Sequence, residues 1–410
     1  MESDFLNGQS AASAGTTLGD GDMAMTNEER VLRVIRGQDV DYLPSQITFS
    51  DRTRDAAISE ALGLASADEL DGYLQNHLCL ALSMHDKPLF YRNDRQEMAR
   101  LESMGFCGAH WDRQCVYDAW GMGVKVGSDG FFMAFHPLSN QADEEVASHM
   151  PPDVNREALF MDAEQAVAAY NAPDISRPGL FDEMRRDLRE QSGRFLVIPA
   201  AYCGIYERGY ALMGFLEFMT AMAATPRVIH ELLDKITDYK VRLAEKVVEM
   251  GFKVAHHGDD LGTQEGTMFS RKMFREFLLP RIKRAWQPYN DAGIPIIMHS
   301  CGCITDFLPD LIGIGLRVLE PVQPCMDLAY IKREFGKDLV FWGGIDTQTV
   351  LPFGKPDQVR QLARQTIRTL GAGGGHIIAP SQEIMNDVPI ENIKALVETI
   401  VEERQTVLNR

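Results

Sequence analysis

A histidine and a cysteine follow an apolar run near residue 300, and their types and spacing favour metal chemistry. The run Ile294 to Met298 is continuous rather than alternating, which is typical of a buried parallel strand. His299 and Cys301 come directly after it, two residues apart, so in an extended chain they point to the same side. Imidazole and thiolate are good zinc ligands, and the pattern predicts a zinc site. The alternative is a small buried cysteine beside a histidine that is hydrogen-bonded to the backbone.

Two ligands are too few for zinc, because a structural site has four protein ligands and a catalytic site usually three. The remaining ligands must then come from neighbouring strands. The candidates at other predicted strand ends are Gln382, Glu383, Glu320, Asp259 and Cys325. Cys303 lies one step beyond the pair, next to a predicted helix, and we expect it to be structural.

The segment His256-His257-Gly258-Asp259-Asp260 is a second candidate for chemistry. Adjacent carboxylates near imidazoles shift each other's pKa, which suits acid–base work or hydrogen bonding to a polar substrate. These side chains cannot all face one pocket, so at least one must be structural. The alternative is a solvated acidic loop with His256 in the core.

Polar residues follow the other apolar runs in the same way. The sequence places Tyr202, Cys203, Glu207, Arg208 and Tyr210 after one run, Gln264 after a second, and Gln323, Asp346 and Ser381 after three more. Asp346 follows Gly343-Gly344, a turn at which backbone can approach a ligand, although Asp346 is equally suited to cap the next helix.

The elements that must position these residues are strands that alternate with helices. The predicted strands are Asp41–Phe49, Leu78–Leu82, Phe195–Ile198, Lys253–His256, Ile294–Met298, Leu316–Leu319, Leu339–Trp342 and His376–Ala379. Helical patterns separate most of them, and the clearest spans Pro226 to Met250. Such alternation predicts a parallel sheet covered by helices, and eight units favour a closed (β/α)8 barrel. Catalytic groups in such barrels lie at the C-terminal strand ends.

Two further segments fall outside the barrel pattern. Residues 1–24 are rich in Ser, Gly, Ala and Asp and lack periodicity, so we expect a disordered tail before a single domain of residues 25–410. Between residues 113 and 137, Val116–Gly121 and Gly130–Phe135 predict a β-hairpin joined across a Gly-Ser-Asp-Gly turn, inserted at one mouth of the barrel. Its aromatic side chains either pack the hairpin onto the barrel, the preferred interpretation, or line a substrate pocket.

Composition excludes several classes of protein. The chain has 410 residues and a formal charge of −18, which argues against a broad nucleic-acid surface. No apolar stretch approaches the ~20 residues that span a bilayer, and the N-terminus does not resemble a signal peptide. Seven cysteines without framework spacing point to a reducing compartment, so a cytoplasmic enzyme is expected.

Several motifs together resemble the uroporphyrinogen decarboxylase superfamily, most closely its corrinoid-dependent methyltransferase branch. They are His257–Asp260, His299–Gly302, Pro321–Pro324, Phe341–Asp346 and Asp387–Asn392, with Asp118–Gly121 as a weaker match. The resemblance implies a (β/α)8 barrel in which His299 and Cys301 bind zinc. The segment Asp51–Arg54 does not reproduce the Arg-rich motif of true decarboxylases. The segment Ala379–Glu383 lacks the cysteine that completes the zinc site of thiol-methylating members, which leaves Gln382, Glu383 or an acid from another strand.

The resemblance implies methyl transfer from a small methylated substrate, with a methoxylated aromatic favoured, to a corrinoid on a separate carrier protein. Glu207, Asp259 or Asp260 would then donate a proton or hold the substrate, and Tyr202, Tyr210 and Trp342 would pack on an aromatic ring. His257, Gln264 and Asp346 are the remaining candidate substrate contacts. A homodimer is an open alternative to a monomer. The competing hypotheses are a metal-independent decarboxylase or lyase and a non-catalytic binding barrel.

Overall fold

The computed structural model describes residues 25–51, 54–127 and 132–409. The predicted disordered tail and most of the predicted Gly-Ser-Asp-Gly turn lie outside these residues. Among them, no helix combines the length and the apolar character that a membrane span requires.

The strands are β1 Leu78–Leu82, β2 Gly108–His110, β3 Cys115–Tyr117, β4 Gly123–Lys125, β5 Met133–Phe135, β6 Leu196–Ala200, β7 Ala255–Gly258, β8 Ile296–His299, β9 Leu316–Val322, β10 Val340–Ile345 and β11 His376–Pro380. The helices are α1 Asn27–Ile35, α2 Asp55–Leu62, α3 Leu70–Tyr73, α4 Lys87–Tyr91, α5 Arg95–Ser103, α6 Glu144–Ser148, α7 Ala163–Ala169, α8 Asp182–Gln191, α9 Tyr206–Met213, α10 Phe215–Ala224, α11 Pro226–Met250, α12 Arg271–Met273, α13 Leu279–Asp291, α14 Leu308–Gly313, α15 Leu328–Phe335, α16 Val350–Phe353, α17 Pro356–Leu370 and α18 Ile390–Glu403.

Parallel strands form a barrel of the type that the sequence predicts. One ladder runs in the order β11-β10-β9-β8-β7, and β1 pairs with β6 in a second. Aliphatic side chains from these strands, such as Ile198, Ile297, Val318 and Ile377, are buried together in one core. Seven predicted strands are therefore present, and the eighth, at residues 41–49, is a segment that forms only isolated bridges.

The segment 44–49 links the first and last strands of the barrel. Ile378 on β11 donates a backbone hydrogen bond to Pro44, and the backbone N–H of Gln46 donates back to Ile378 at 2.9 Å. On its other side, His77 donates to the carbonyl of Ser45 at 3.1 Å. Isolated bridges replace a continuous ladder here. Between β6 and β7 the connection is also sparse, with one backbone hydrogen bond of 2.8 Å from Gly258 to the carbonyl of Ala201.

The helices begin and end where the sequence predicts. Helix α11 has Pro226 in its first turn and ends at Gly251, whose φ of 84° favours glycine. Its apolar stripe is buried, as the helical periodicity predicts. Pro280 lies in the first turn of α13, directly after a π-helical turn at Phe274–Leu278. A π-turn and a proline both interrupt the regular hydrogen-bond ladder of a helix.

The predicted insertion is a four-stranded antiparallel sheet in the order β2-β3-β4-β5. The hairpin prediction is correct in place but incomplete, because β4 lies between the two predicted strands and pairs with both. A fully buried ion pair of 2.6 Å joins Asp118, in the β3–β4 loop, to Arg208 on α9. Val124 on β4 packs with Cys203 and Leu89 in one small core. The sheet is thereby fixed beside the C-terminal end of β6.

Candidate active site

A cavity of about 570 Å³ opens at the C-terminal ends of the barrel strands. Seven of the site residues predicted from the sequence line it: Tyr202, Glu207, Asp260, His299, Trp342, Gln382 and Glu383. In (β/α)8 barrels this end of the sheet carries the active site. The cavity is therefore the candidate active site.

Three potential metal ligands converge at its wall. One ligand atom each from Asp260, His299 and Cys301 lies within 4.8 Å of the other two. The Nε2 atom of His299 is 3.6 Å from Oδ1 of Asp260 and 3.6 Å from Sγ of Cys301. The parallel register pairs Gly258 on β7 with His299 on β8, which places the residues that follow them side by side. Asp260, predicted as an acid or base, is thus the carboxylate that faces Nε2 of His299 and lies beside Cys301.

Surrounding groups orient these three side chains. Nδ1 of His299 is 2.7 Å from Oε2 of Glu320, its register partner on β9. The interaction leaves Nε2 facing Asp260 and Cys301. The carboxylate of Asp260 accepts a 2.7 Å hydrogen bond from the backbone N–H of Cys301. Glu320, a ligand candidate from the sequence, instead contacts the far side of the imidazole, where carboxylates commonly support metal-bound histidines.

The donor set fits a zinc ion. One nitrogen, one sulfur and one carboxylate oxygen converge in a space of the right size, and the cavity lies on their open side. Three protein ligands with an open position are typical of catalytic zinc. Gln382 also reaches the site, but its Nε2 atom points at the sulfur of Cys301, 3.1 Å away. Its Oε1 atom accepts a hydrogen bond from the backbone of Glu383, and Glu383 lines the cavity.

The adjacent carboxylates of Asp259 and Asp260 have different surroundings. Asp259 has no exposed surface and accepts backbone hydrogen bonds of 2.8, 3.0 and 2.8 Å from Ile205, Tyr206 and Glu207. It therefore caps the N-terminus of α9 and does not reach the cavity, which corrects the predicted catalytic role. The expectation that one residue of this segment is structural is confirmed.

Glu207 stands at the cavity wall on the first turn of α9. Burial, with Asp260 and Asp259 nearby, raises the pKa of its carboxyl group well above the usual range. A carboxyl group that stays protonated near neutral pH can act as a general acid. Its predicted role is therefore compatible with its place and its surroundings.

Aromatic and imidazole rings complete this side of the cavity. The ring of Tyr202 contacts His299 and His256 at centroid distances of 5.4 and 4.9 Å. Burial lowers the pKa of His256 well below the usual histidine value, so its imidazole is neutral. Trp342 lines the cavity from β10. Tyr202 and Trp342 thus lie where the sequence analysis expects ring-packing contacts.

Two predicted substrate contacts lie behind the wall. Tyr210 places its hydroxyl 3.5 Å from Glu207 Oε1, and its ring packs against Tyr206, away from the cavity. His257 is buried with its ring edge against Trp286, because side chains alternate along β7 and His256 takes the inward position. Neither residue lines the cavity.

Two further predicted contacts are also displaced from it. Gln264 is exposed on the loop after β7. Asp346 accepts backbone hydrogen bonds from Gln348 and Val350 at 2.8 and 3.1 Å, so it caps the turn that enters α16. The capping alternative for Asp346 is the one that the structure favours.

No sequence motif predicts the residues that form the opposite wall of the cavity. It consists of residues from the N-terminal part of the barrel, including Ile47, Phe49, Leu74, Leu80, Phe90 and Arg92. These residues are mostly apolar and carry no motif. The strand prediction at Leu78–Leu82 was the available signal, since a barrel strand places its following loop at the same mouth.

Residues 160–403 match the family model for uroporphyrinogen decarboxylase (URO-D). The chain is 24% identical over 228 residues to methylated-thiol–coenzyme M methyltransferase of Methanosarcina mazei, covering 52% of this chain and 59% of that protein. It is 26% identical over 210 residues to methylcobamide:CoM methyltransferase MtaA of Methanosarcina barkeri, covering 51% and 59%. It thus spans less than two thirds of the length of both methyltransferases.

A uroporphyrinogen decarboxylase of Pelodictyon phaeoclathratiforme is 25% identical over 300 residues, covering 70% of this chain and 77% of that protein. Among solved structures, a methyltransferase from Methanosarcina mazei aligns with a TM-score of 0.55 at 17% identity, covering 92% of this chain and 99% of that chain. This likeness confirms the fold. The family model covers more than half of the sequence, and the chain belongs to the uroporphyrinogen decarboxylase family.

Proposed function

We propose that the protein is a zinc-dependent methyltransferase that moves a methyl group from a small methylated substrate to a corrinoid on a carrier protein. The observation that carries the proposal is the convergence of Asp260, His299 and Cys301 beside Glu207 at the cavity wall. The methyltransferase relatives support the same reaction class. A methoxylated aromatic is the favoured substrate, because aromatic and aliphatic side chains line much of the cavity.

Asp260, His299 and Cys301 would hold the zinc ion, and Glu320 would keep the His299 imidazole in the orientation that binding needs. A zinc ion bound there supplies Lewis acidity at the heteroatom that carries the methyl group. Trp342 and Tyr202 would bind the ring of the substrate. The remaining requirement is a proton for the leaving oxygen.

Glu207 would supply that proton. As the carbon–oxygen bond breaks, its electron pair would stay on the oxygen, the methyl group would pass to the reduced corrinoid as acceptor, and the proton of the Glu207 carboxyl group would pass to that oxygen. Asp259 holds α9, and with it Glu207, through three backbone hydrogen bonds. The demethylated product leaves as a phenol, and the Glu207 carboxylate takes a proton from water.

The test combines elemental analysis with an absorption assay. The pure protein is incubated with a reduced corrinoid carrier protein and a panel of methoxyaromatics, methylamines and methyl thioethers. We expect about one zinc per chain and a corrinoid absorption change with at least one methoxyaromatic. His299→Ala should abolish both, and Glu207→Gln should abolish only the second. No absorption change with any methyl donor would contradict the proposal.

A metal-independent decarboxylase acting on a small carboxylated substrate is the second candidate. Arg92 lines the cavity and is only 6% exposed, and a guanidinium group there suits a substrate carboxylate. In sequence, the Pelodictyon relative named as a decarboxylase aligns over 70% of this chain, against 52% and 51% for the two methyltransferase relatives. Zinc-free protein that releases CO2 from a carboxylated substrate, with His299→Ala fully active, would favour this candidate.

A further inference from the structure

The amide of Gln382 is held in one orientation beside the sulfur of Cys301. Its Nε2 atom lies 3.1 Å from Sγ of Cys301 and donates to the sulfur. Its Oε1 atom accepts a 3.0 Å hydrogen bond from the backbone N–H of Glu383. Rotating the amide by 180° would turn Oε1 toward the sulfur and would place two N–H donors against each other at Glu383. The surroundings therefore select the orientation in which nitrogen faces sulfur.

The contact joins two strand ends that are not neighbours. Gln382 follows β11 and Cys301 follows β8, with β9 and β10 between them. A second, buried glutamine, Gln323, connects these two strand ends. Gln323, after β9, accepts a 2.8 Å hydrogen bond from the backbone of Gly302 and donates one of 3.1 Å to the carbonyl of Ser381. Gln323 thus links the residue after Cys301 to the residue before Gln382.

We propose that Gln382 is a positioning residue that donates a hydrogen bond to the Cys301 thiolate, rather than the metal ligand that the sequence predicts. The inference rests on the proposed function, because it concerns the metal site of that function. A hydrogen bond to a metal-bound sulfur withdraws electron density from it. Partners of this kind tune the metal as much as they orient its ligands.

The consequence concerns the choice of substrate. A metal bound by one imidazole, one carboxylate and one weakened thiolate receives less electron density than a thiolate-rich site supplies. Its affinity then shifts toward hard ligands, so a methyl group on oxygen is preferred to one on sulfur. Gln382 contributes to that preference without contacting the metal.

Cobalt substitution tests the inference without any methyl donor. The protein is stripped with a chelator and reconstituted with Co²⁺ alone, and the thiolate-to-cobalt charge-transfer band is recorded. We expect one such band in the wild type and its loss in Cys301→Ser. Gln382→Leu should move the band to longer wavelength, because a sulfur without its N–H donor gives up electrons more easily.

Gln361→Leu is the matched control, since Gln361 is an exposed glutamine on the outer helix α17, and its band should keep the wild-type position. Gln323→Met should shift the band in the same direction as Gln382→Leu. A Gln382→Leu band at the wild-type wavelength would overturn the inference, as would a band that persists in Cys301→Ser. The proposed function fails separately, if Co²⁺ binds as described but no corrinoid absorption change occurs with any methyl donor.

Discussion

The two walls of the cavity differ in chemistry and in what they share with relatives. The wall that holds Glu207, Asp260 and His299 lies entirely within residues 160–403, which match the family model. The opposite wall, built from residues between Gln46 and Arg92, lies outside that match. The family match therefore covers the wall with the candidate metal ligands. The opposite wall, which we expect to shape the substrate, is not covered by the family model.

The two walls also differ in how they are anchored. Strands β7 to β11 form one continuous parallel ladder beneath the candidate metal ligands. The segment 44–49, which carries part of the opposite wall, is attached by isolated bridges to Asn76 and Ile378. A metal site needs fixed distances between its ligands, whereas an apolar wall tolerates repacking. The opposite wall is thus the part of the cavity in which side chains can be replaced with the least disturbance of the candidate metal site.

The largest expected effect comes from removing a metal ligand. His299→Ala or Asp260→Asn should lower zinc affinity more than about 100-fold, beyond the loss typical of supporting residues. Elemental analysis after gel filtration measures the zinc retained per chain. Asp259→Asn is the matched control, because its carboxylate binds α9 and not the metal, and it should retain zinc. Full zinc content in Asp260→Asn would contradict the assignment.

A smaller loss is expected from Glu320→Gln. The amide can still contact Nδ1 of His299, but it no longer supplies a negative charge to the imidazole, so zinc affinity should fall about 10–100-fold. Titration with a competing chelator gives the affinity. Glu334→Gln on the exposed surface of α15 should leave it unchanged. Equal affinities in both variants would remove Glu320 from the site.

On the opposite wall, Phe90→Ala should weaken substrate binding and leave the rate of the chemical step nearly unchanged. The ring of Phe90 lines the cavity and packs edge-on against Tyr202 at 5.1 Å. Its loss should raise KM about 10-fold, a typical cost for removing apolar contact, with kcat nearly constant and zinc content equal to wild type. Phe353→Ala, at a 77% exposed ring, is the control. A fall in kcat with unchanged KM would show that the two walls do not divide their roles.

The smallest expected effect is a loss of folding stability at acidic pH, caused by His77, which contacts the segment 44–49 of the opposite wall. Burial lowers the pKa of His77 to about 4, against 6.5 for an ordinary histidine. The unfolded chain therefore binds a proton first as pH falls below 6.5, and stability is lost progressively down to about pH 4. At pH 5.5 the contribution of His77 to this loss should be about 1 kcal/mol of unfolding free energy relative to pH 7.

Denaturant unfolding at the two pH values measures this loss, and His77→Gln should reduce it. Because His77 contacts Ser45, amide hydrogen exchange should quicken in residues 44–49 before it quickens in β7–β11. An identical pH dependence in wild type and variant would exclude His77 as the source.

Seven of the eight barrel strands could be predicted because each contains a short apolar run, whereas the eighth, at residues 41–49, forms only isolated bridges. The short strand Gly123–Lys125 was missed, since three residues carry no periodic signal. The choice between Asp259 and Asp260 could not be made either. Alternation shows that adjacent acids face opposite sides, but only the register with β8 shows which side holds His299.

For several other residues, a position directly after a barrel strand does not predict that the side chain reaches the cavity. Gln264 and Asp346 both follow barrel strands, yet one is exposed and the other caps a turn, because loop geometry decides where their side chains point. The opposite wall could not be predicted for a different reason. Apolar residues such as Phe90 and Leu80 look the same in a sequence whether they face a cavity or a core.

The neighbouring carboxylates at the end of β7 have a mechanical consequence. Asp259 is fastened to the first turn of α9, which carries the acid Glu207, and Asp260 is fastened to the backbone of Cys301. The peptide unit between Asp259 and Asp260 therefore joins the helix that carries the proposed proton donor to the strand end that carries the candidate metal ligands. If both proposed roles hold, this link fixes the separation between proton donor and metal site independently of the opposite wall.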